Sequence, residues 1–269
     1  MSKIKETFKN IKLKNKKAFS VFLMSGYPDS ETFLDLLKLC SDTGVDFIEV
    51  GMPFSDPSAD GPTVKQAGTI ALENGTTVKD TIESIQKFRK YDNKTPIVWM
   101  GYFNSIFNYG VNHFLNDIEN GGFDGLLIVD LPIEEINRLE KIKEKNLDFI
   151  TLVTPTTTKE RLPLILKKAS GFIYFISITG ITGTKEAEED KIKEQVKYIQ
   201  SQTNLPIIVG FGIKDPQKAK QINSFADGSI VGSALIEKIS KHINKDREIL
   251  DRKALIMNIK QILKDFTEQ

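Results

Sequence analysis

The chain has 269 residues, with 37 Lys and Arg against 36 Asp and Glu, a formal charge of +1 and 40% hydrophobic residues. That length suits a single domain the size of an α/β barrel, large enough to fold without disulfides or a structural metal. Near-neutrality excludes a sequence-independent grip on nucleic acid phosphates, while one cysteine (Cys40) and two histidines (His113 and His242) exclude a disulfide framework, a thiolate zinc cluster and a multi-histidine metal site.

Residues 1–17 carry seven lysines and one glutamate, with Ile4, Phe8 and Ile11 at helical spacing. This predicts a short amphipathic helix packed on the domain, its lysines solvated; a transit peptide would be richer in Arg and Ser, and a secretory signal needs an apolar core. From there a rhythm sets in. Short apolar runs, many β-branched or aromatic, fall at 18–25, 46–51, 96–101, 125–130, 149–153, 172–177, 206–210 and 228–231. Amphipathic segments of helical period lie between them, among them 30–39, 79–89, 134–145 and 190–202. Apolar strands alternating with helices imply a parallel sheet covered on its outer face. Eight such units predict one domain over 1–269, a closed (β/α)8 TIM barrel with an extra N-terminal helix; an open doubly wound sheet is the structural alternative. No stretch approaches the roughly 18 apolar residues of a membrane span. The chain reads as soluble and cytoplasmic, although its Lys, Ile and Asn richness also fits a plastid-encoded protein of the stroma.

A barrel carries its chemistry at the C-terminal ends of its strands. Glu49 stands among apolar residues near the end of the second run. There it faces either the barrel mouth, where partial desolvation would suit it to proton transfer, or the helix layer, as part of a structural ion pair. The loop that follows, 52–62, is acidic and prolyl-rich, and Asp60 in it can fold back over the mouth; alone, Asp60 also reads as a turn residue or helix cap. Gly210-Phe211-Gly212 after the seventh run and Gly232-Ser233 after the eighth suit a phosphate site built of backbone N–H groups. Gly210 and Gly212 make no dinucleotide fingerprint, since the third glycine and the downstream acid are missing. The segment 178–190 reads as a long polar loop, a lid with Gly180 and Gly183 as hinges. Cys40 and Trp99 read as core, and His113 and His242 as surface or satisfied side chains on amphipathic helices.

The string Glu49-Val50-Gly51-Met52-Pro53-Phe54-Ser55-Asp56-Pro57-Ser58-Ala59-Asp60-Gly61-Pro62 resembles the signature of the tryptophan synthase α subunit family. Further matches follow in order along the chain: Phe22 with Gly26-Tyr27-Pro28-Asp29, Tyr102-Phe103-Asn104, Val129-Asp130-Leu131-Pro132, Tyr174 through Ser177 with Gly180-Ile181-Thr182-Gly183, Gly210 through Ile213, and Gly232-Ser233-Ala234. The resemblance implies retro-aldol cleavage of indole-3-glycerol phosphate to indole and glyceraldehyde 3-phosphate, with no metal or organic cofactor. It implies Glu49 as general acid and base, Asp60 as acceptor for the indole N–H and Tyr174 as a positioning group. Phe22, Met100, Tyr102, Leu127 and Thr182 would contact substrate, and Gly183, Gly212, Gly232 and Ser233 would hold the phosphate. Pro53, Phe54, Asp56 and Asn104 match positions that meet a β subunit in an α2β2 heterotetramer. Ser58, Lys65 and Phe172 depart from the family's usual residues, with none touching Glu49, Asp60 or Tyr174, and Ile178 stands where many members carry Arg. The rival readings are a stand-alone lyase releasing free indole, a catalytically idle activator of a β subunit, and another phosphate-sugar barrel enzyme such as an epimerase or isomerase.

Overall fold

A computed structural model describes residues 1–176, 185–210 and 212–267, apart from the side chains at 140 and 185–188. Helix α1 (Lys3–Leu13) precedes the strands β1 (Ala18–Met24), β2 (Phe47–Gly51), β3 (Ile97–Gly101), β4 (Gly125–Ile128), β5 (Asp148–Val153), β6 (Ile173–Ile176), β7 (Ile207–Gly210) and β8 (Gly228–Val231). Each strand runs parallel to the next and β8 closes on β1, giving an eight-stranded barrel rather than an open sheet. Around it run α2 (Ser30–Asp42), α3 (Pro62–Glu73), α4 (Val78–Arg89), the pair α5 (Phe103–Tyr109) and α6 (Val111–Gly121), α7 (Leu162–Lys168), α8 (Lys185–Gln202), α9 (Pro216–Asn223), α10 (Ser233–Ser240) and α11 (Arg252–Thr267). No described helix is long and apolar enough to cross a membrane.

Three local expectations need correction. The crossover from β4 to β5 is a 3-10 helix, Ile133–Glu144, broken at Leu139, rather than a regular α-helix. Residues 185–190, expected to end a loop, already belong to α8: this lysine- and glutamate-rich stretch has no apolar period to announce it, yet contains no Gly or Pro to prevent a helix. Residues 178–184, the rest of the expected lid, lie outside the described residues. His242 falls in a turn after α10 instead of on a helix.

The barrel's N-terminal end is sealed by aromatic packing. On α1, Ile4, Phe8 and Ile11 are buried as the spacing predicts. The Phe8 ring lies 5.9 Å from both Phe47 and Phe172, which are themselves 5.0 Å apart. Phe172 is thus a fully buried member of this apolar plug, at the opposite end from the active face. Outside the barrel, Trp99 is fully buried in edge contact with Phe114 of α6, at 4.9 Å, as a core residue.

Successive residues of a strand alternate between faces, so the pairing register fixes which side chains point inward. Phe47 faces the barrel interior, where it joins the plug, and therefore Glu49, two residues on, faces the interior too. Register then carries Phe22, paired with Glu49, and Met100, paired with Gly51, to the same interior. Across the barrel Leu152 pairs with Tyr174. Two glycines make room for this layer. A Cβ on Gly51 would enter the Phe22 ring, and one on Gly210 would fall on the Tyr174 ring and hydroxyl. Gly51→Ala is therefore expected to cost about 1–3 kcal/mol of stability through overpacking, measurable by thermal melts.

Candidate active site

At the C-terminal ends of the strands lies a cavity of about 380 Å³. Phe22, Glu49, Asp60, Met100 and Tyr174 line one part of it, and Gly212, Gly232 and Ser233 another. One inward-facing layer and three loops thus bring together residues that the sequence scatters over more than 200 positions.

Glu49 is only 1% exposed. Among the described residues, neither of its carboxylate oxygens has a hydrogen-bond partner. A buried, unpartnered acid is costly as an anion, so it holds its proton. Burial first, and the nearby Asp60 carboxylate second, push its pKa up to about 8. Among the described residues no cation meets it, against the ion-pair reading.

Asp60 is held differently. Helix α3 begins with Gly61 as its N-cap and Pro62 in its first turn, and no side chain caps it. Asp60 is therefore not a helix cap and its carboxylate is left for the cavity. Burial raises its pKa, while a hydrogen bond from the Tyr102 hydroxyl and the charge of Lys65 pull it back toward the ionised form. Lys65, expected to touch none of the acidic residues, thus acts on Asp60 through its charge. Tyr102 also accepts the Ala59 N–H at 3.1 Å and stacks on Phe54 at 5.0 Å, fixing the loop that carries Asp60. Tyr102 itself is not among the cavity-lining residues. The Tyr174 phenol is pushed well above its ordinary pKa by burial, then by the Glu49 and Asp60 carboxylates, so it remains a hydrogen-bond donor. Removing the Tyr102 hydroxyl withdraws support from the Asp60 anion. Tyr102→Phe should therefore move the acid limb of kcat/KM to higher pH, which a pH–rate profile would read directly.

At the other part of the cavity, Gly212 has φ +74 and open space where a Cβ would stand; this left-handed backbone favours glycine. Gly232 is the N-cap of α10 with no side-chain cap, so N–H groups of the first turn and the Ser233 hydroxyl remain for an anion. Two charged residues that no sequence signal pointed to also line the cavity, Lys214 and Glu237. Lys214 makes no ion pair among the described residues, whereas Lys218, four residues on, pairs with Glu189 at 2.9 Å.

Not every expected contact is brought in. Leu127 is fully buried and absent from the lining, while Val129, Leu152, Ile176 and Ile230 supply apolar wall instead. Strand pleat would have found Val129, two residues beyond Leu127 on the same face. Thr182 and Gly183 lie outside the described residues. Of the expected partner surface, Pro53 is buried, Phe54 half-buried, and Asp56 and Asn104 exposed; beside them on α5 stands Phe107, 61% exposed.

Fold and site together define a TIM-barrel protein with two carboxylates and an uncapped helix N-terminus in one cavity at the C-terminal ends of its strands. Residues 8–264 match the family model for the tryptophan synthase alpha chain, and the chain belongs to that family. It is similar over its whole length to the tryptophan synthase subunit alpha of Legionella pneumophila, with 33% identity, TM-score 0.89 and 98% of that chain covered. A chain from Aquifex aeolicus is 36% identical with TM-score 0.88, covering 100% of this chain and 98% of that one. Tryptophan synthase from M. tuberculosis, in an aminoacrylate-bound form, matches 99% of this chain and 98% of its own at 29% identity and TM-score 0.85.

Proposed function

We propose that the chain cleaves indole-3-glycerol phosphate to indole and glyceraldehyde 3-phosphate. The observation that carries this reading is the pairing of a buried, protonated Glu49 with a second, cation-supported acid, Asp60, in a cavity that also reaches an amide-and-hydroxyl cradle. At neutral pH Glu49 starts with its proton and delivers it to indole C3, which becomes tetrahedral. The positive charge generated on the indole nitrogen is met by the Asp60 carboxylate. The resulting Glu49 carboxylate then takes the proton of the side-chain hydroxyl next to C3. The carbon–carbon bond breaks, its electron pair returns to the indole ring, and the hydroxyl carbon leaves as the aldehyde. Glu49 ends as it began, with no external acid or base consumed. Phe22, Met100, Val129 and Leu152 offer the indole an apolar wall, and the phosphate ester sits against Gly212, Gly232 and Ser233.

Lys214 supplies the one full positive charge among the described lining residues, against the carboxylates of Asp60 and Glu237. A dianionic ester entering an acidic mouth needs it. Lys214→Met is expected to raise KM about 10-fold at low salt, with kcat nearly unchanged, and to flatten the salt dependence of KM.

The released indole would pass to a tryptophan synthase β subunit seated on the loops that carry Phe54, Asp56 and Asn104. The exposed Phe107 ring supports an apolar partner at that rim. The test is direct: purified chain is given indole-3-glycerol phosphate with and without a β subunit, and indole and glyceraldehyde 3-phosphate are quantified. Equimolar products, formed faster with the β subunit, are expected. No indole even with the β subunit would refute the activity, and high turnover indifferent to it would refute the partnership.

A further inference from the structure

The barrel's N-terminal end, opposite the active face, holds a larger cavity of about 770 Å³. Helix α1 forms one wall and contributes Lys5, Lys9 and Lys12. Their spacing of four and three residues aligns them on one stripe, about 10 Å long at 1.5 Å per residue. The chain then reverses at Asn15, which has φ 51, and brings Lys16 and Lys17 to the same rim. The facing wall is neutral and polar, with Ser170, Gln200, Thr203 and Asn204.

Lys5, Lys9 and Lys12 make no ion pair among the described residues, whereas Lys3 pairs with Asp124 at 3.2 Å. Neighbouring like charges on a helix repel, so this stripe is unfavourable until an anion covers it. The two carboxylates that reach the cavity already have partners. Asp148 accepts the Ser2 hydroxyl, and Asp227 accepts the Ile207 N–H at 2.9 Å. Lys17 donates to the Ala226 carbonyl at 2.7 Å, and Lys16 supports the Asp46 carboxylate, which leaves the α1 stripe as the uncommitted charge.

We propose that this cavity is a binding site for a multiply phosphorylated small molecule, its phosphates lying along Lys5, Lys9 and Lys12 and its remainder against Phe8 and Ile11. A single phosphate reaches one or two ammonium groups, while a chain of two or three phosphates matches the whole stripe. The cavity is a solvent-open cleft of small-molecule size. A net charge of +1 gives no broader basic field for a nucleic acid backbone.

The experiment measures thermal shift and calorimetric binding of sodium tripolyphosphate and of orthophosphate to the full chain, with ionic strength held constant by NaCl. Tripolyphosphate at ten times its Kd is expected to raise Tm by about 3 °C, and orthophosphate is expected to bind at least 10-fold more weakly. The double variant Lys9→Gln/Lys12→Gln should lose at least 10-fold in tripolyphosphate affinity, Lys9→Arg/Lys12→Arg should restore it, and both should melt normally and keep any indole-releasing activity. Equal affinity in the Gln variant would overturn the site. So would competition by glyceraldehyde 3-phosphate, which would put the anion on the active face. Binding of phosphatidylglycerol vesicles that depends on these lysines, without tripolyphosphate binding, would assign the stripe to a membrane surface instead and equally overturn the proposal.

Discussion

Glu49→Gln is expected to lower kcat for indole release by about 10³-fold or more while making the protein more stable. The kinetic loss follows from one residue serving two proton transfers, each step of this kind contributing roughly 10²–10⁴ in rate. Glutamine keeps the size and shape of the side chain but neither donates an acidic proton nor accepts one back. The gain in stability follows from linkage. The folded-state pKa of Glu49, about 8, lies above its ordinary value of 4.5. Between these values the native state holds a proton that the unfolded chain has released, so stability falls as pH rises through this window. Below about 4.5 both states are protonated and the penalty vanishes; above about 8 it is complete. The neutral glutamine escapes it. Thermal melts should show the variant gaining on the parent from pH 5 to pH 8, by roughly 2–4 kcal/mol at the upper end. A parent no less stable than the variant at pH 8 would show that the buried carboxylate finds a partner in solution.

Asp60→Asn is the second large effect, and its signature is different. Asparagine can still accept a hydrogen bond from the indole N–H, so substrate binding should change only a few-fold. It carries no charge to oppose the cation that forms on the ring nitrogen. Loss of such an electrostatic stabiliser typically costs 10²–10³ in kcat. The variant also removes one of the two causes that raise the Glu49 pKa, so the Glu49-dependent limb of the remaining activity should shift to lower pH. A measured KM increase with unchanged kcat would mean that Asp60 binds the ground state and nothing more.

The sequence displayed the architecture well because a barrel writes a strong local code. Buried parallel strands are continuous apolar runs, and each of the eight expected runs overlaps an observed strand, the fifth strand starting one residue earlier at Asp148 and the others trimmed by at most two residues. Glu49 and Asp60 were legible as acids in the right places, one isolated on an apolar strand and one in a polar loop behind it. Their environments were not. Whether Asp60 capped α3 depended on Gly61 taking that position, and whether Lys65 mattered depended on the geometry of the turn that begins α3. Leu127 and Val129 differ only in height along one face of β4 and the residues that follow it, which pattern alone does not resolve. Lys214 and the α1 lysines looked like ordinary surface charge, because a cavity wall assembled from distant segments has no sequence period. The 3-10 crossover and the early start of α8 escaped for a related reason: neither carries a clean helical stripe.

The central claim is that Glu49, Asp60 and the cradle at Gly212, Gly232 and Ser233 act on one substrate molecule. It is tested most directly by a crystal structure of the Glu49→Gln variant with indole-3-glycerol phosphate bound. The expected result has the phosphate on the amide groups of that cradle, the indole nitrogen within hydrogen-bond distance of an Asp60 oxygen, and indole C3 against the residue 49 side chain. An indole ring seated elsewhere, with Asp60 facing solvent and residue 49 remote from C3, would contradict it.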